Sequence, residues 1–289
     1  MNTAIHAPKQ AAHTGKKGRQ RQVVIFVVTL VIAVIFLIPV FFALISAFKT
    51  NGEIISDPVG LPKSLNLDNF VQLFKKADIR GALINTLVLT VVSEVLIVIV
   101  VPMGAYGIQR SSNKWLKRCY TYFMAGMVIP FHVYMFSLFR EMQAFGIYKT
   151  MIGPIVCYVS GSVPFGTLMY FNFLKNIPVE IEEAAAIDGC TPMQTFWRVV
   201  FPLLGPCTAS MVVLNGLGIW NDFLMPYLVL PSNETKTLTV EIFKFVDQFS
   251  TQWNIVFAGT IFAIIPALIV FFSLQKYFVK GITSGAAKG

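Results

Sequence analysis

The sequence predicts an all-α membrane protein in which six helices cross the bilayer. Of its 289 residues, 55% are hydrophobic and only 13% are charged, against about 25% charged in a soluble domain. Mean hydropathy is +0.68. The apolar residues fall into six blocks, near 23–48, 83–108, 119–142, 151–174, 199–224 and 255–279, each long enough for the ~20 residues a helix needs to cross the hydrocarbon core. A disordered tail, a disulfide scaffold and a water-soluble enzyme are excluded by the same figures.

The first 22 residues form a basic tail in which Lys16, Lys17, Arg19 and Arg21 precede a charge-free run. The apolar core of a secretory signal is only ~7–15 residues, so this longer run reads as an anchored first helix. In the 49–82 loop, Asp57-Pro58, Leu61-Pro62 and Asn66 mark turns, and the 67–74 stretch reads as a short amphipathic helix. The second block holds Glu94; the third holds Ile129-Pro130 and His132. Gly161-Ser-Val-Pro164-Phe-Gly166 is expected to interrupt the fourth helix beside a cavity. Gly216 and Gly218 in the fifth suit close helix packing. Aromatics of the 231–254 loop (Phe243, Phe245, Phe249, Trp253) are expected to pack at the membrane interface.

Charge sets the orientation. With the N-terminus inside, inner segments carry 14 Lys/Arg against four acids, and outer segments nine against eight. The +9 net charge is therefore a topology signal, placing both termini in the cytoplasm, and nucleic acid is not a partner. Cys119, Cys157, Cys190 and Cys207 have no CxxC spacing and read as small buried hydrophobes. No GxxxxGK[ST], HExxH or GxSxG motif occurs, so the chain has no phosphate loop and no catalytic or metal constellation. His132 reads as a polar packing residue rather than a base.

The 176–202 loop is the most informative segment. Pro178 suits a first helical position, and Glu180, Glu182 and Glu183 crowd a first turn where negative charge complements the helix dipole. Ala184–Ala186 favour helix, Gly189 suits a left-handed stop, and Thr191-Pro192-x-Gln194 is a capping box that starts a second helix.

Glu183-Ala-Ala, then Gly189, then Val199-x-Phe201-Pro202 resembles the EAA loop of ABC importer permeases, with Val199 and Phe201 where that family usually has Ile and Leu. Ile177-Pro178…Glu182-Glu183-Ala-Ala-x-Ile187-Asp188-Gly189, Trp220-Asn221-Asp222-Phe223, Ile129-Pro130 and the ending from Tyr277 to Gly289 resemble the carbohydrate branch of these permeases. The resemblance implies a type I ABC importer permease fold: a six-helix domain over 23–280 carrying an EAA coupling helix, with a cytoplasmic tail at 281–289. It implies a bacterial cytoplasmic-membrane subunit that is not an enzyme and binds no cofactor, ATP and Mg being held by a partner ATPase. The implied partners are a second permease subunit in a heterodimer, two ATPase subunits, an extracytoplasmic sugar-binding protein and the carbohydrate itself.

By the same resemblance, Glu182, Glu183, Ala184, Ala185, Asp188, Gly189 and Pro202 would couple to the ATPase, and Gly281, Gly285 and Lys288 would form a tail contact with it. Trp220, Asn221 and Asp222 combine an aromatic face, an amide and a carboxylate, chemistry suited to sugar, or else they form an ordinary interfacial helix end. Glu94 is either a further substrate contact or an interhelical hydrogen-bonded acid. A different solute such as a glycerol phosphodiester would fit the same architecture. An ion-coupled carrier using Glu94 and Asp222 would leave the EAA loop unexplained.

Overall fold

The computed structural model describes residues 16–247 and 250–286. Backbone amides in hydrocarbon find no water, so the chain satisfies them within helices, and no strand occurs among the described residues. Among the described residues four helices are long and apolar enough to cross a membrane alone, and two bent pairs bring the total to six where each pair counts as one span.

Helix α1 (Lys16–Ser46) is the first span, and it starts inside the expected basic tail. It stands clear of the rest of the chain until its last turns, where Phe42 meets Phe257 edge-on at 5.7 Å. A short α2 (Asn51–Ser56) follows, opened by a Thr50–Glu53 capping box. The Thr50 backbone N–H bonded to Glu53 holds that carboxyl below its ordinary pKa. The expected amphipathic helix is α3 (Asp68–Lys76). Its buried Asn69 donates to the carbonyls of Ala47 (2.8 Å) and Lys49 (2.9 Å) and accepts from Asn254 (2.7 Å). One side chain thus ties the end of α1 to the start of the last span.

The second span is α4 (Ile79–Arg110). The third is not one rod: α5 (Lys114–Gly126) and α6 (Phe131–Ala144) meet at 110°. Pro130, extended at ψ 140°, biases Ile129 away from the helical region, and the turn closes on local carbonyls. The fourth span, α7 (Ile152–Leu174), is continuous, contrary to the expected interruption at Gly161–Gly166. Pro164 removes one ladder bond and the helix carries on through it. The hydroxyls of Ser160 and Ser162 donate back to the carbonyls of Val156 (2.8 Å) and Tyr158 (2.7 Å). Gly166 serves packing instead. A Cβ there would lie 2.6 Å from Val101 Cγ1 and 2.9 Å from Met211 Cε.

After α7 come α8 (Glu180–Ile187), α9 (Pro192–Thr195), a wide π turn (Phe196–Val200), α10 (Phe201–Leu203) and α11 (Gly205–Asn221). The fifth span bends by 75° between α10 and α11, where Pro202 and Pro206 deny two backbone donors. Short α12 (Leu224–Val229) and α13 (Leu238–Phe243) lead to the last span, α14 (Trp253–Ala286). The loop aromatics pack on neighbouring elements rather than on one another: Phe243 lies 4.6 Å from Phe223 and 5.8 Å from Tyr227 between ring centres, Trp253 lies 6.3 Å from Phe257, and Phe245 joins the core of Leu73 and Ile79; Phe249 lies outside the described residues. The main core joins Ile97, Val101 and Ala105 of α4 to Tyr170 and Leu174 of α7, Met211 of α11 and Phe196 and Val200 of the π turn.

The two readings of α7 separate by substitution. Gly166→Ala should destabilise the purified protein by about 1–3 kcal/mol through overpacking. Gly161→Ala, where nothing lies within 4 Å, should stabilise it by about 0.5–1 kcal/mol if the helix is continuous. Thermal unfolding in detergent measures both, and destabilisation by Gly161→Ala would mean that the backbone there is not helical.

Candidate functional site

At the end of the bundle where α4 and α7 finish, α8 and α9 make a compact elbow. The first turn of α8 opens on Val179, whose carbonyl accepts from the N–H groups of Glu182 and Glu183. Pro178 therefore lies ahead of the helix rather than at its first position, because the turn after α7 winds on to Ile177 before α8 begins. The helix stops as expected. Gly189 is left-handed at φ +82°, and the Cys190 N–H returns to the Ala185 carbonyl at 3.0 Å. Thr191 and Gln194 form the expected capping box, with Pro192 in the first turn.

Glu182 turns inward. Its carboxylate accepts from Tyr106 Oη (2.8 Å) and Arg110 Nε (2.8 Å) and pairs with Arg110 Nη2 at 2.7 Å; the same guanidinium donates to the Ile177 carbonyl at 2.9 Å. The pair is well shielded, at 18% and 11% side-chain exposure, and it braces the elbow against the last turn of α4. Ala185 is buried beneath the elbow, while Glu183, Ala184, Asp188, Gly189 and Pro202 are exposed. Beside them Ile187 is 87% exposed and Met193 55%. The outer surface of the elbow is thus small-residued and apolar, with acids at its margin.

A cavity of about 470 Å³ opens among α6, α7 and α11, towards the opposite end of α11 from the elbow. His132, Tyr134, Tyr158, Asn215 and Asp222 bring polar atoms to it, Phe131 brings an aromatic face, and no Lys or Arg among the described residues lines it. Asp222 ends α11. Its Oδ2 accepts from Tyr158 Oη (2.8 Å), and its Oδ1 accepts from the N–H of Leu224 (2.9 Å), which starts α12. The Asn215 amide nitrogen is buried without a hydrogen-bond partner among the described residues.

Trp220, Asn221 and Asp222, expected along the substrate path, do not share one cavity, because consecutive helical residues point about 100° apart. Trp220 is buried, donates to the Ala263 carbonyl at 3.1 Å, and lines a second cavity with Glu94 between α4, α11 and α14. Asn221 is exposed, bonds the Leu217 carbonyl of its own helix (2.9 Å), and lines neither cavity. Of the tail residues, Gly281 and Gly285 fall in the last turns of α14, and Lys288 lies outside the described residues.

Four residues of these sites escape sequence reasoning. Asn215 lies two helical turns before Asp222, a spacing that shares a face and could have flagged it. Tyr106 and Arg110 are four apart and share a face likewise, but nothing local names Glu182 as their partner. Tyr158 carries no sequence signal at all.

Residues 99–284 match the family described as binding-protein-dependent transport system inner membrane component. The chain is 36% identical over 259 residues, covering 90% of it and 94% of the relative, to the probable starch degradation products transport system permease protein AmyC of Thermoanaerobacterium thermosulfurigenes. It is 30% identical over 267 residues, covering 92% and 96%, to the melibiose/raffinose/stachyose import permease protein MelC of Bacillus subtilis. A chain in the crystal structure of a bacterial ABC transporter involved in import of the acidic polysaccharide alginate shares the fold, with a TM-score of 0.78 at 21% identity over 91% of this chain and 98% of that one. The family match extends from within α4 to the end of α14 and takes in the elbow and the cavity at Asp222, so this chain belongs to the binding-protein-dependent inner membrane components, the permease subunits of ABC importers, which are not themselves enzymes.

Proposed function

We propose that this chain forms half of the transmembrane path of an ATP-driven importer for an uncharged sugar or oligosaccharide, with both termini in the cytoplasm. The observation that carries the reading is the elbow: an exposed Ala/Ile surface rigidly braced to α4 through Glu182 and Arg110. In this reading a separate ATPase subunit, holding ATP and Mg, seats on α8 through Glu183, Ala184 and Ile187, and Gly189 lets the chain turn sharply enough to keep that surface flush. ATPase closure then moves α4 and the core packed on it as one body. A second permease subunit completes the path, a second ATPase lies beneath that subunit, an external binding protein delivers the sugar, and the tail with Gly281, Gly285 and Lys288 reaches the ATPases.

The cavity at Asp222 supports the sugar part. Tyr134 and Phe131 offer faces for sugar C–H groups, while Asn215, Asp222 and His132 offer partners for hydroxyls. One carboxylate with no Lys or Arg suits a neutral saccharide better than a uronate or a phosphodiester, whose charge would meet a like charge and no counter-ion. The relatives named for starch products and for melibiose, raffinose and stachyose point the same way.

Gly189→Val forces a β-branched residue into the left-handed region, at a cost of about 1–2 kcal/mol. Sugar-stimulated ATP hydrolysis by the assembled complex should fall about tenfold, the equivalent of 1.4 kcal/mol, with membrane insertion unchanged; full stimulation would remove the elbow from coupling. Asn215→Leu should lower sugar uptake into vesicles up to about tenfold and leave basal ATP hydrolysis intact. Loss of basal hydrolysis alongside uptake would make Asn215 a packing residue and move the path elsewhere.

A further inference from the structure

Glu94 lies midway along α4, only 7% exposed, and neither carboxylate oxygen has a hydrogen-bond partner among the described residues. One turn earlier on the same face, the Thr90 hydroxyl is also buried and unpaired. Both line a cavity of about 490 Å³ between α4, α11 and α14 whose other walls are almost entirely hydrocarbon. Gly216 forms the wall against which the carboxylate rests, a Cβ there lying 3.7 Å from Glu94 Oε1. Among the described residues no Lys, Arg or His lines the cavity, and the indole N–H of Trp220 is already taken by Ala263. Along α4 the lining runs from Leu87 to Ile99, so at 1.5 Å per residue the groove extends about 18 Å along the helix axis. Its rim residues Leu87, Val91 and Val95 are exposed.

A sugar would strand most of its hydroxyls in this groove. Lipid chains would leave the carboxyl without a donor, and an acid in a membrane span is costly enough that it faces protein or water. What satisfies Glu94 is a hydrogen-bond donor on an apolar helix, laid into a groove whose small residue allows close approach. The chain's own free-standing span does not supply one, since α1 has no side-chain donor between Thr29 and Ser46.

We propose that the groove between α4, α11 and α14 seats a membrane span of the companion permease subunit, a chain different from this one, which carries a hydroxyl, amide or cationic donor opposite Glu94 at mid-bilayer depth. The inference rests on the reading that a second permease subunit completes the path; it adds the place where that subunit sits and the group it must bring.

The test uses the complete complex purified from membranes through a tag on this chain. A photo-crosslinking amino acid at Val91 or Val95 should join a span of a different permease chain, and mass spectrometry should place an Ser, Thr, Asn, Gln, Lys or Arg at the depth of Glu94. Glu94→Leu should lower recovery of the companion about tenfold while the ATPase subunit still co-purifies, which shows that the variant folds. Glu94→Gln, which keeps an acceptor oxygen, should restore most of the companion. Crosslinks to lipid alone, crosslinks to a second copy of this chain, or full recovery of the companion with Glu94→Leu would each overturn the proposal. A wild-type complex lacking any second permease chain would instead overturn the two-subunit reading beneath it.

Discussion

Close approach of α7 to α4 at Gly166 is the contact on which the rest of the architecture depends. With no side chain at that position, Val101 and Met211 close over the helix, and one apolar cluster then runs from Ile97 through Tyr170 and Leu174 to Phe196 and Val200. That cluster ends directly under the elbow. Packing at this density transmits displacement rather than absorbing it, so two spans and the turn that leads into α11 behave as a block. The Glu182–Arg110 pair then extends the block to α8. Two hydrogen bonds from one planar guanidinium, together with that of the Tyr106 phenol, fix the direction of the elbow as well as its position.

The bends are as purposeful as the packing. In hydrocarbon a helix is interrupted only where its freed backbone groups are taken up by other protein groups. At the end of α11, Asp222 does this by receiving the Leu224 N–H, and its own carbonyl accepts from Thr239 at 2.8 Å. The break between α5 and α6 closes on neighbouring carbonyls. Together these interruptions bring α6 and α12 beside α7 and α11 and leave the cavity that Tyr158 and Asn215 line. A bundle of six straight rods would fill that space with side chains.

Two carboxylates at membrane depth meet opposite conditions. Asp222 sits at a helix end with a phenol and a backbone N–H already aimed at it, so its charge is met within the chain. Glu94 sits in the middle of a regular helix, where every backbone donor is used by the helix itself, and no side chain among the described residues donates a hydrogen bond to it. A helix N-terminus, such as the start of α12, supplies free N–H donors, and a helix middle does not. An acid placed in a helix middle therefore depends on a neighbouring element for its partner, whereas an acid at an end can be satisfied locally.

Six spans, the basic tail, the amphipathic α3 and the helix–glycine–capping-box order of the elbow are all legible in the sequence, because each rests on local rules. Hydropathy sums along the chain, a left-handed stop needs glycine, and a capping box spans three residues. The break in the third span, the continuity of α7 through Pro164 and the inward turn of Glu182 are tertiary outcomes. Proline ends some helices and is tolerated in others according to what else can meet the freed carbonyl, and Glu182 is drawn inward by Arg110, 72 residues earlier in the chain. The string Trp220-Asn221-Asp222 is the sharpest case. Its composition is contiguous in sequence, but a helix turning about 100° per residue sends the three side chains to different surroundings. Which of them share a cavity was decided by the helices packed on each side of α11.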